Sequence, residues 1–270
     1  MITEYAPSRR VFLADLGRAG FAVAILGVAG CAAATPASPG RSTAAGSAAP
    51  GDAGATTPEP TAESSGAPPA SGGSAGPTTW HRVNLGFVSA YILARDGEAA
   101  VVDTGVAGSD GAIADALEAA GLGWGNVGHV ILTHQHQDHA GSAAAVLEAA
   151  PDAVGYAGAE DIPAIAVPRA LTAVADGDAV FGLRIVATPG HTKGHVAVLD
   201  EAGGILVAGD ALGASGGSPT RPGAGFTEDM DTALASIAKL GGLTFETLLV
   251  GHGDPIESGA AAKVKALAGG

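Results

Sequence analysis

The segment Thr133-His134-Gln135-His136-Gln137-Asp138-His139 constrains this chain more than any other part of it. Four potential metal ligands, His134, His136, Asp138 and His139, fall within six residues, directly after the wholly apolar run Val130-Ile131-Leu132. Such a run reads as a buried strand, so the ligands stand at a strand end. Residues two apart in an extended stretch project the same way, which puts His134 and His136 on one side. Asp138 and His139 sit at the turn into the next helix and can face a second ion. Imidazole and carboxylate together suit zinc and related borderline metals. Without a cation, these side chains would be a costly group of unpartnered polar atoms. Whatever fold the chain adopts has to bring further ligands to the same place.

The 270 residues are not uniform. Residues 32–78 contain 43 Ala, Gly, Pro, Ser or Thr among 47, interrupted by Arg41, Asp52, Glu59 and Glu63. With no bulky apolar side chain, this stretch cannot bury enough surface to offset its chain entropy, and it reads as a disordered linker. Residues 79–270 are long enough for one domain with a substantial core. That domain carries 9 Lys plus Arg against 22 Asp plus Glu, a formal charge of −13, and no basic stripe. A nucleic-acid backbone would be repelled, so the expected partner is a small molecule. The one cysteine is Cys31, outside the domain, which leaves neither a disulfide within the chain nor a thiolate ligand in the domain.

The first residues read as an address. Ser8-Arg9-Arg10-Val11-Phe12-Leu13 precedes the apolar run Phe21-Ala22-Val23-Ala24-Ile25-Leu26-Gly27-Val28, too short to span a bilayer comfortably. The arginine pair resembles a bacterial twin-arginine export signal. Val28-Ala29-Gly30-Cys31 resembles a lipoprotein signal-peptidase box, with small residues before the cysteine that becomes lipidated. The expectation is a signal over residues 1–31 that directs twin-arginine export and is cleaved just before Cys31, leaving that cysteine to carry a lipid anchor on the outer side of the cytoplasmic membrane.

Along the domain, residues 83–87, 90–94, 99–102, 153–156, 183–187, 195–199, 205–208 and 247–250 read as further strands. Helices are expected from Ser109 to Gly121 with Ser109 as cap, over 140–150, over 228–240 with Thr227 available as cap, and over 260–267. Strands and helices alternate loosely, so the class is α+β or α/β. The Gly- and Pro-rich stretch 213–226 reads as irregular.

The string His134 to His139 is the HxHxDH signature, and the chain resembles the metallo-β-lactamase superfamily through it. Four more motifs follow the family's order: Val102-Asp103-Thr104-Gly105, Thr188-Pro189-Gly190-His191-Thr192-Lys193-Gly194-His195, Ala208-Gly209-Asp210 and Gly251-His252-Gly253-Asp254-Pro255. The resemblance implies a four-layer αββα sandwich with the metals at one edge. It implies that His134, His136 and His191 hold one ion, that Asp138, His139 and His252 hold the other, and that Asp210 bridges them. Asp103 and His195 are expected to support the ligands rather than to bind metal, and His81 and His129 to stand apart. Lys193 reads as a solvated loop lysine.

In such a site two zinc ions, with iron or manganese as alternatives, activate a bridging hydroxide that attacks a carbonyl carbon. Asp138 is expected to orient that nucleophile or move a proton. Ester, thioester, lactone and amide bonds are all compatible. Aspartate at 210 matches glyoxalase II-like thioesterases and lactonases better than the β-lactamases themselves. Typical glyoxalase II enzymes add a C-terminal helical domain for glutathione, and only 18 residues follow His252 here, so a glutathione thioester is not the expected substrate. The alternatives are an iron-dependent sulfur dioxygenase and a non-catalytic metal-binding lipoprotein. The oligomeric state is not legible.

Overall fold

The structure is a computed structural model, and it describes residues 76–270. The expected signal, Cys31 and the linker up to residue 75 lie outside the described residues. Two mixed sheets form the domain. The first has the order β1-β2-β3-β4-β5-β6, from β1 (Thr79–Asn84), β2 (Ser89–Arg95), β3 (Glu98–Val102), β4 (Val127–Ile131), β5 (Val154–Gly158) and β6 (Thr172–Val174). Its first three strands are antiparallel; β3 to β6 are parallel. The second sheet assembles from β7 (Ala179–Val180), β8 (Leu183–Ala187), β9 (Val196–Asp200), β10 (Ile205–Val207) and β13 (Thr247–Leu249) in the order β13-β10-β9-β8-β7. A two-stranded ribbon, β11 (Gly213–Ser215) with β12 (Ser218–Thr220), stands apart from both.

Side-chain alternation decides the layering, because successive strand residues face opposite sides. Ile92, Ala99, Val101 and Val130 point outward and bury Ile113 and Leu117 of α1 (Asp110–Ala119) and Val146 and Leu147 of α3 (Ala143–Ala149). Their neighbours Leu93, Ala100, Val102 and Ile131 point inward against Ile185, Val198 and Val207 of the second sheet. On that sheet, Val186, Ala197 and Leu206 face outward onto Ile237 and Leu240 of α4 (Met230–Leu240) and Val264 of α5 (Ala260–Ala268). Three apolar cores therefore separate four layers, the αββα sandwich. Strands buried on both faces carry near-continuous apolar runs, as in Ala-Ala-Val-Val at the end of β3.

Several boundaries differ from expectation for identifiable reasons. The helix expected over 140–150 is two pieces, α2 (Gln137–Ala140) and α3, parted at Gly141-Ser142. Ser142 Oγ donates to Val106 O at 2.6 Å and accepts from Ser109 N–H at 2.8 Å, which ties this break to the loop after β3. Ser109 occupies the cap position of α1 without a side-chain cap bond. The helix expected from Glu228 begins at Met230, capped by Asp229 rather than Thr227. Glu228 N–H and Asp229 N–H donate instead to His191 O and Gly190 O, at 3.1 and 2.9 Å. The stretch 213–226 holds the β11–β12 hairpin, turned by Gly216 and Gly217, both at positive φ. A Gly-Gly pair is a recognised two-residue hairpin turn, so that regularity was readable. Among the described residues no helix is long and apolar enough to cross a membrane.

Candidate metal centre

The chain leaves its strands toward one edge. Asp103 follows β3, His134 follows β4, Asp161 follows β5, His191 follows β8, Asp210 follows β10 and His252 follows β13. Loops at the carboxyl ends of parallel strands are the usual place for a ligand site in open sheets.

Three imidazole nitrogens meet first. His136 Nδ1 lies 3.1 Å from His134 Nε2 and 3.0 Å from His191 Nε2. Their hydrogens are accounted for elsewhere. Thr133 Oγ1 donates to the acceptor-only carboxylate of Asp103, so at 3.0 Å it accepts from His134 Nδ1–H. Thr227 Oγ1 donates to Gly223 O, so it accepts from His191 Nδ1–H at 3.3 Å. Both Nε2 atoms therefore present lone pairs, and His136 Nδ1–H can satisfy one of them at a time. The other Nε2 lone pair then has no hydrogen to accept, and a cation relieves that.

A second cluster lies beside it. His252 Nε2 is 3.2 Å from both Asp138 Oδ2 and Asp210 Oδ2, and its Nδ1–H donates to Phe87 O at 2.7 Å. His139 Nε2 is 3.2 Å from Asp210 Oδ1 and 3.9 Å from Asp138 Oδ2. Asp210 Oδ2 also stands 3.4 Å from His191 Nε2, which places its carboxylate between the two clusters. His139 Nε2 and Asp210 Oδ1 are buried without a hydrogen-bond partner. Orphaned buried polar atoms of opposite tendency, side by side, are what ligands look like without their ion. All seven sequence-predicted ligands are thus brought together, in three groups able to hold an ion: His134, His136, His191; Asp138, His139, His252; and His134, His139, Asp210. His81 on β1 and His129 on β4 belong to none of these groups.

The sequence profile of the Metallo-beta-lactamase superfamily matches residues 83–252. The chain belongs to that superfamily. Thioesterase pkgB of Emericella nidulans is 34% identical over 131 residues, covering 48% of this chain and 36% of pkgB. A hydroxyacylglutathione hydrolase of Alkalilimnicola ehrlichii is 36% identical over 143 residues, 53% of this chain and 52% of that enzyme. The chain thus spans about a third to a half of the length of these curated relatives. Among solved structures, TTHA1429 of Thermus thermophilus superposes with a TM-score of 0.57 at 24% identity, over 70% of this chain and 78% of that one. TTHA1623, in a di-iron-bound form, gives 0.54 at 26% identity over 66% and 93%.

In this metallo-β-lactamase fold, three residues hold the ligands without joining them. Asp103, at φ +62°, accepts from Thr133 N–H at 2.8 Å and from His139 Nδ1–H at 2.8 Å. The second bond fixes the His139 tautomer and turns its Nε2 inward. His195 Nε2 accepts from Asp210 N–H at 3.1 Å, so its Nδ1–H donates to Thr188 Oγ1 at 2.7 Å. It positions Asp210 with both nitrogens engaged. Asp161 is the residue that sequence reading missed. Buried after β5, it accepts from Gln135 N–H at 3.0 Å, Thr192 Oγ1 at 2.6 Å and Gly194 N–H at 2.8 Å. One carboxylate so ties the loop of His134 and His136 to the loop of His191. Its position in an unremarkable Glu-Asp pair carried no signal beyond being a carboxylate just past a strand.

Electrostatics follow the same pattern. Burial lowers His134 well below the ordinary histidine range, His191 to about 4 and His195 to about 3. These rings stay neutral at physiological pH, the form that binds metal. Burial also opposes charge on His139, but Asp103 and Asp210 outweigh it and raise that ring to about 10. Burial works against ionised Asp210 too, yet the His139 and His252 rings beside it hold its carboxyl well below the usual range. The site favours positive charge between Asp103 and Asp210. Before the clusters opens a cavity of about 810 Å³, lined by His136, Asp138, His191, Asp210 and His252 on its floor and by Phe87, Leu212, Arg221 and Phe226 higher up.

Proposed function

We propose that this chain is a hydrolase that holds two divalent ions and cleaves an ester, thioester, lactone or amide bond. The observation that carries this reading is the Asp210 carboxylate, set between two ligand clusters on the floor of an open cavity. His134, His136 and His191 would hold one ion, Asp138, His139 and His252 the other, with Asp210 shared. Zinc suits this donor set, as do iron and manganese. Such a pair of ions, when bound, activates water near neutral pH and offsets charge on a carbonyl oxygen. Asp138 is half-buried and lines the cavity, so its carboxylate is placed to orient a water molecule or take up its proton. Asp103, His195 and Asp161 fix ligand tautomers and loop positions. The names of the relatives, a thioesterase and a hydroxyacylglutathione hydrolase, favour carboxylic acid derivatives as substrates.

The sequence pattern alone supports the remaining part of the reading. Residues 1–31 would direct twin-arginine export, lipid on Cys31 would hold the protein at the outer face of the cytoplasmic membrane, and 32–78 would tether the domain. Cys31→Ala would then release the protein from the membrane fraction.

The test of the chemistry is a panel of esters, thioesters, lactones and β-lactams assayed before and after chelation. The expected result is hydrolysis that disappears with the metal and returns on adding zinc. Full activity after chelation contradicts it. One iron per chain, with oxygen uptake on a persulfide, would instead favour the sulfur dioxygenase.

A further inference from the structure

Four large apolar side chains are markedly exposed among the described residues, and two of them, Phe87 (64%) and Phe226 (78%), stand on the wall of the cavity above the clusters. Exposed aromatics gathered at one opening mark a contact surface rather than scattered surface residues. Their mounting is informative. Phe87 O accepts from His252 Nδ1–H, and the Phe87 ring lies nearly parallel to the His252 ring, at 14°. Phe226 is followed by Thr227, whose hydroxyl accepts from His191 Nδ1–H. The two phenylalanines therefore belong to the backbone segments that bond to His252 and His191, the rings that approach Asp210 Oδ2 at 3.2 and 3.4 Å. A carbonyl group brought to the clusters would have its chain run between them. Leu212 and the buried Pro222 continue the apolar wall, and Arg221 is its one basic side chain. A polyanionic peptide-like group has little to hold it there, whereas an alkyl chain finds aromatic and aliphatic surface. The volume is in the range of pockets that bury a small ligand.

Taking the hydrolase reading as given, we infer that the substrate is a carboxylic acid derivative with an apolar, medium-length acyl group, held between Phe87 and Phe226. Chain length is then the selected property. Each methylene that leaves water adds to binding.

The experiment has a rate arm and a binding arm, both on the metal-loaded full chain. In the rate arm, p-nitrophenyl acetate, butyrate and octanoate are compared, and kcat/KM is expected to rise by about tenfold or more from acetate to octanoate, given what buried methylenes contribute. In the binding arm, calorimetry compares acetate with octanoate, the acids released, and octanoate is expected to bind more tightly. Phe226→Ala is expected to flatten both dependences, and Phe226→Leu to restore most of them. Because Phe226 is so exposed, truncating it removes little packing. If no ester is hydrolysed but octanoate still binds better and Phe226→Ala removes the difference, the apolar jaw stands and the hydrolase reading falls. If esters are hydrolysed without regard to chain length, the jaw is wrong and the hydrolase stands.

Discussion

Asp103 sits in the left-handed backbone region and divides its two oxygens between Thr133 and His139. It touches no candidate ion, yet it determines which nitrogen His139 offers. Asp103→Ala is expected to weaken retention of the ion nearest His139 by about 10- to 100-fold, the usual effect of losing such a partner, measured by competition with a chelator. Asp161→Ala acts on the other cluster. It leaves Gln135 N–H, Gly194 N–H and Thr192 Oγ1 without their acceptor, at about 1–3 kcal/mol of stability for buried donors left unpaired. Metal content should fall together with the melting temperature. Gly251 makes a different demand. A Cβ there would collide with Asp210 Oδ1 and the His139 ring, both far ends of side chains. The cost therefore falls on ligand placement, and Gly251→Ala should fold while losing bound metal. Retention of the full metal complement in that variant would contradict the assignment.

At the scale of elements, strand ends do most of the positioning. Parallel neighbours β3, β4 and β5 end together, so Asp103, His134 and Asp161 emerge side by side; β10 beside β13 does the same for Asp210 and His252. Packing and site are separable here. Leu147 on α3 is fully buried in the outer core, and Leu147→Ala should cost about 2–5 kcal/mol in thermal or denaturant unfolding without changing the number of ions bound. The candidate ligand cluster was legible because its residue types and spacing have few other uses, and the central strands because burial on both faces writes unbroken apolar runs. Edges were less legible. Strands β6 and β7 are three and two residues long and lack a readable period. The start of α4 was displaced because Glu228 and Asp229 bond to the His191 loop, a tertiary contact that overrides a local cap. Asp161 stayed hidden because its partners lie 26 to 33 residues away in sequence.

At the scale of the whole molecule, the buried histidines make the metal-stripped protein sensitive to pH. Folding lowers His191 to about 4 and His195 to about 3, from an ordinary 6.5. Between those values and 6.5 the unfolded chain binds protons that the folded protein refuses, so stability drops as the pH falls, by up to about 1.4 kcal/mol per pH unit for each ring. His139, raised to about 10, works in the opposite sense: its contribution is fully present below 6.5 and lost as the pH rises toward 10. The stripped protein should therefore unfold at its highest temperature near neutrality and at lower temperatures at pH 5 and pH 9. Bound ions should raise the melting temperature at all three, since they bind the folded site. The most direct measurement is the number of divalent ions per chain, by elemental analysis of the purified wild type and of Asp210→Ala. Two ions in the wild type and fewer in the variant are predicted. A wild type that binds no ion after zinc loading, or a count that Asp210→Ala leaves unchanged, would contradict the shared-carboxylate centre.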